Sequence, residues 1–133
     1  MGFECGVTLR TNTPIKYFPW FAKFDLIDTD IVEDGKEYTY QLFYYTNDKY
    51  VASSLCTSCS LYHKEGNQSL NNIDVYKMIQ EFKQLYENVD PDSFCVEDER
   101  KRYEESIGTL AWTFEWMTKR PQDIISCNYY ESW

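Results

Sequence analysis

The chain has 133 residues, 43% of them hydrophobic and 18% aromatic, and a formal net charge of −9 from 22 acidic against 13 basic side chains. That length suits one domain around one core, and so many large apolar groups exclude a disordered acidic tail. The acidic balance argues against nucleic acid or an anionic membrane as a direct ligand, because either needs a basic patch.

A single globular domain over residues 1–133 is the expectation. No apolar run approaches the roughly 20 residues that span a bilayer. The opening MGFECGVTLR has neither a basic leader nor a continuous apolar segment. Five cysteines, an odd number, do not suit a secreted disulfide framework. These features together point to the cytoplasm, with thiols free or bound to metal.

Phe3, Cys5, Val7 and Leu9 alternate with polar neighbours, the period of a half-buried strand. Further on, Pro19 cannot donate to a central ladder, so a second strand is expected from near Trp20 to Val32. EDGK at Glu33 to Lys36 is a hairpin signal, because Asp-Gly tolerates the positive φ of a tight turn. The β-favouring run EYTYQLFYYT follows, then a turn at Asn47 to Lys49, then YVASSLC. This reads as an antiparallel meander of about four strands. Residues 57–72 are polar and read as a loop.

A first helix is expected from Asn72, as N-cap, through Val89, with Val75, Met78, Ile79, Phe82, Leu85, Tyr86 and Val89 as its apolar stripe. After Pro91 a second helix should begin between Asp92 and Glu97 and run to Lys119, with Pro121 just beyond its end. The tail DIISCNYYESW is expected to return to the sheet as a strand. The fold class is therefore α+β: a mostly antiparallel sheet of four to five strands, an N-terminal meander plus a C-terminal strand, packed by two helices.

The most visible chemistry is SLCTSCSLYH at residues 54–63. Cys56 and Cys59 have the spacing of a zinc knuckle, His63 could be a third ligand, and Cys5, Cys95 or Cys127 could close a tetrahedron. The pattern lacks the second C-x-x-C or H-x-x-x-H pair of a full zinc sequence, and a redox thiol lacks the helix that should follow it. Buried cysteines at a strand end are the plainer reading, so no cofactor is expected and zinc stays the alternative. There is no phosphate loop, nucleophile elbow or H-E-x-x-H, and an enzyme would have to rely on carboxylates or a cysteine.

Acid gathers in two places. The region Glu87 to Glu105 offers helical i,i+4 pairs, Glu97 with Lys101, Asp98 with Arg102, Arg100 with Glu104 and Lys101 with Glu105, and reads as a solvated helix face. Asp25, Asp28, Asp30, Glu33, Asp34 and Glu37 have only Lys36 among them, on a hairpin that a basic partner could reach. On the second helix, Tyr103, Ile107, Leu110, Phe114 and Met117 should face the core. Trp112 and Trp116 then project from the opposite side as partner anchors, with burial under the neighbouring aromatic segments as the alternative.

The functional expectation is a non-catalytic, acidic binding protein that inhibits a partner with a basic surface: a toxin, a nuclease or a defence effector. Immunity proteins and phage anti-defence inhibitors act in this way, and its acid could mimic nucleic-acid charge. The alternatives are a small zinc-stabilised module and an enzyme.

Overall fold

The computed structural model describes residues 4–16, 22–46 and 66–132. They form an α+β fold with strands β1 (Glu4–Thr11), β2 (Asp25–Val32), β3 (Gly35–Thr46), β4 (Gly66–Ser69) and β5 (Ile124–Ser132), and helices α1 (Asn72–Glu87) and α2 (Val96–Lys119). The strands make one five-stranded sheet in the order β2-β3-β1-β5-β4, with every pairing antiparallel. Residues 47–65, which include the expected turn at Asn47 and the YVASSLC strand, lie outside the described residues, as do 17–21.

The strand order departs from a simple meander, since β1 pairs with β3 on one edge and β5 on the other while β2 lies outside β3. Burial accounts for it. Cys5, Val7, Leu9 and Thr11 are wholly buried, whereas every residue of β2 is exposed. The strand whose core face is wholly buried takes the centre. In β3, Leu42 and Phe43 are adjacent yet both buried, because Val7 pairs with Phe43 and Thr8 with Gln41, leaving Leu42 as a bulge. The segment expected as a loop contains β4, four polar residues paired to β5. A strand without apolar residues has no period to read.

Both helices pack on the core face of the sheet. Helix α1 begins one residue earlier than expected: Asn71 is the N-cap, its side chain accepting from Asp74 N–H at 2.9 Å while Asp74 accepts from Asn71 N–H at 3.0 Å. This reciprocal box satisfies two of the amides a helix start leaves open. Of its apolar stripe Val75, Met78, Ile79 and Phe82 are buried, Leu85 and Tyr86 only partly, and Val89 is buried beyond the helix end; Phe82 centres an aromatic cluster, 4.9 Å from Phe43, 5.9 Å from Tyr45 and 6.1 Å from Tyr103 between ring centroids.

Helix α2 is rotated from the expected orientation. Tyr103 and Leu110 are buried, but Ile107, Phe114 and Met117 are only partly so, and Ser106, Thr109 and Thr113 occupy the buried face instead. Their hydroxyls are all satisfied. Thr113 donates to the Thr109 carbonyl at 2.8 Å, Ser106 meets the Tyr45 hydroxyl at 2.9 Å, and Thr109 accepts from Lys23 N–H at 2.6 Å. Short side chains let the chain at Lys23 and the rim of β3 approach the helix closely. None of the four expected i,i+4 pairs closes among the described residues; Glu115 with Lys119 does, at 2.6 Å. Arg102 instead lies over the Tyr45 ring, 4.5 Å from its centroid.

Candidate functional site

In the β2–β3 hairpin, β3 packs on the helices through Phe43 and Tyr45, while β2 is exposed along its whole length. Val32 pairs with Gly35, which places Glu33 and Asp34 at the tip, and Gly35 has φ +147°, a conformation that favours glycine. Residues paired across antiparallel strands share a face. Asp28 is opposite Thr39, Asp30 is opposite Glu37, and Thr39 is opposite Arg10, so these charges share the face turned away from the helices.

This register overturns the expectation that Lys36 is the cluster's lone cation. The Arg10 guanidinium, reaching from β1, lies 3.5 Å from Asp30 and forms an ion pair with Glu37. It relieves the repulsion that two carboxylates directly opposite one another would carry. Sequence distance hid it: Arg10 joins the cluster only because β1 is the next strand beyond β3. At the start of β2, Lys23 lies 3.9 Å from Asp25. Asp28 accepts from the Thr29 N–H at 2.9 Å. Among the described residues, Asp28, Glu33 and Asp34 form no ion pair.

The hairpin also carries aliphatic surface that was not anticipated. Leu26, Ile27, Ile31 and Val32 are all exposed, Ile31 at 85%. The signal for this lies in the segment DLIDTDIV itself. Apolar and polar residues are mixed on both parities of the strand, with Asp25 and Thr29 on one and Asp28 and Asp30 on the other, so neither face offers a continuous apolar row to bury.

Trp112 and Trp116 do not stand opposite the buried face. Both are half-buried and pack against the core, and Arg120 lies 5.7 Å from the centroid of the Trp116 ring. The rotation of α2 toward its threonines brings them to the flank of the buried arc. Because Asp28, Asp30 and Glu37 lie on the other face of the sheet, the tryptophans and the main row of acids do not form one site. Asp25 lines a cleft of about 320 Å³ together with Lys23, Tyr45, Arg102, Glu105 and Ser106. Two cations and two carboxylates share that cleft, so its charge is locally balanced.

The zinc candidates Cys56, Cys59 and His63 lie outside the described residues. Of the three cysteines proposed to close that site, Cys5 and Cys127 are buried on the core faces of β1 and β5, and Cys95 is half-buried at the start of α2. Burial, and secondarily the Asp74 carboxylate, pushes the Cys127 thiol up to about 12. It is a protonated core side chain at neutral pH. The described residues hold no group of three or more His, Cys, Asp or Glu placed to bind a metal, and none of their helices is long and apolar enough to cross a membrane.

In comparisons with known proteins, the chain matches no family model, no curated protein and no solved structure.

Proposed function

We propose that this protein is a non-catalytic acidic binding protein that inhibits a partner by covering a basic surface, in the manner of an immunity protein against a toxin or a phage anti-defence inhibitor. The observation that carries this reading is the projecting hairpin, whose outer strand is exposed over all 8 residues and whose Asp28, Glu33 and Asp34 have no ion-pair partner among the described residues. Carboxylates on an exposed hairpin attract Lys and Arg on an approaching surface and speed encounter. A groove that normally holds a phosphate backbone is one such surface, because carboxylates can take the place of phosphates among its cations.

The test is capture with tagged protein from its native host, comparing the wild type with Asp28→Lys, Glu33→Lys and Asp34→Lys combined. These three positions leave the Arg10 pairs intact. Proteins held by the wild type and released by the variant should be basic. For a purified partner, association should slow at least about tenfold at low salt and lose most of its salt dependence. An unchanged association rate would exclude the hairpin as the contact.

A further inference from the structure

The two edges of the sheet are built differently. Strand β4 closes one side with four residues, Gly-Asn-Gln-Ser, the short polar edge with which proteins discourage added strands. Strand β2 closes the other with 8 residues that include four exposed aliphatic side chains. Among the described strands it pairs only with β3, so among the described residues its second row of N–H and C=O groups has no ladder partner. Across a bulge at Ile27 the two faces of this edge differ, although Val32 shares the acidic face and Thr29 the other. Asp28 and Asp30 stand on the face away from the helices, with Arg10 and Glu37, while Leu26 and Ile31, opposite Tyr40 and Lys36, stand on the other.

We infer that β2 receives an extended segment of the partner as a sixth strand of the sheet, a segment in which Lys or Arg alternates with Val, Ile or Leu. The inference rests on the reading of the protein as an acidic binder and adds the mode of contact. Alternation follows from the two faces: successive residues of an incoming strand point to opposite sides, placing cations beside Asp28 and Asp30 and aliphatic groups beside Leu26 and Ile31. Charge selects the occupant. A second copy would bring two acidic edges together on molecules of net charge −9, and like charges across a strand pair are destabilising.

The test uses the full chain and an acetylated, amidated peptide of alternating Lys and Val, as long as β2. Amide hydrogen exchange and chemical shifts of Asp25–Val32 are the readouts. The peptide should slow exchange of β2 amides at least about tenfold. A counterpart N-methylated at every second residue keeps the charge but loses the donors on one edge, and should bind at least about tenfold more weakly without protecting β2. A peptide of alternating Glu and Val should not bind. Leu26→Ser with Ile31→Ser should weaken the Lys-Val peptide several-fold while leaving the melting temperature unchanged, since both side chains are exposed. Equal binding of the methylated and unmethylated peptides without β2 protection would overturn strand addition and leave the charge-driven binder intact. No binding of the Lys-Val peptide, or a β2-paired dimer of this chain in sedimentation, would also overturn it. The acidic-binder reading fails separately, on an unchanged capture by the charge-reversed variant.

Discussion

Gly6 shows how closely the side of the sheet away from the helices is packed beside the bulge. A Cβ there would lie 2.7 Å from the Phe43 carbonyl oxygen, 2.8 Å from Gln41 Nε2 and 2.8 Å from the Tyr130 hydroxyl. The Gln41 amide donates to the carbonyls of Val7 at 3.2 Å and Phe43 at 2.8 Å, bridging the ladder where the bulge interrupts it. Side chains can swing aside from a methyl group, but the backbone carbonyl of a central strand pair cannot. Gly6→Ala should therefore lower stability by about 1–3 kcal/mol, read from the urea midpoint. An unchanged midpoint would show that β1 and β3 separate easily. Thr109 and Arg10 mark what was illegible at this scale. Hydroxyls on a helix read as solvent-facing until the chain at Lys23 is seen to use one, and an arginine on one strand does not announce which carboxylates another strand will bring to it.

Among the elements, α1 was the most legible, because apolar residues three and four apart leave one face to bury. Its start depended on a shorter pattern, Asn71 and Asp74 in a reciprocal box, which the adjacent Asn72 disguised. Asn71→Ala removes the acceptor for Asp74 N–H and should cost about 1 kcal/mol, measured as a lower thermal midpoint with less helical circular dichroism. A midpoint equal to the wild type would mean that water or another group takes over the cap. The hairpin was legible from Asp34 and Gly35, but its exposure was not. A strand with Asp, Thr and aliphatic residues on both parities can be identified as a strand without revealing that it sits at an edge. The orientation of α2 departs from its periodicity for a related reason: periodicity weights Ile107, Phe114 and Met117 by hydrophobicity, whereas packing selects Ser106, Thr109 and Thr113 by size and hydrogen bonding.

For the molecule as a whole, acidic surface and aromatic core give a definite response to alkali. Burial is the leading cause that raises Cys127 from its ordinary 9.0 to about 12 and Tyr130 from 10.0 to about 12, although the Gln41 hydrogen bond pulls Tyr130 the other way. Tyr129 is raised too, first by burial and then by Cys5 and Glu131, whose carboxylate accepts its hydroxyl at 2.5 Å. In each case the folded state holds a proton that the unfolded chain releases at lower pH. For Cys127 and Tyr130 the resulting contribution to stability is complete below about pH 9 and is lost as pH rises through 12. The urea midpoint should fall across that window, and Cys127→Ala should delay the onset of the fall. A midpoint constant across the window would contradict the burial of these groups.

What the amino-acid sequence determined by itself was the α+β class, the two helices, the terminal strand and the acidic hairpin. Each is written locally, in periods of two or three to four residues and in turn residues that restrict φ. Tertiary structure alone decided that β1 is central and β2 peripheral, that Arg10 joins Asp30 and Glu37, and that the tryptophans flank the core. These depend on which strand edges meet and which faces are covered, and that choice is made by burying the most complete apolar faces of the whole chain at once.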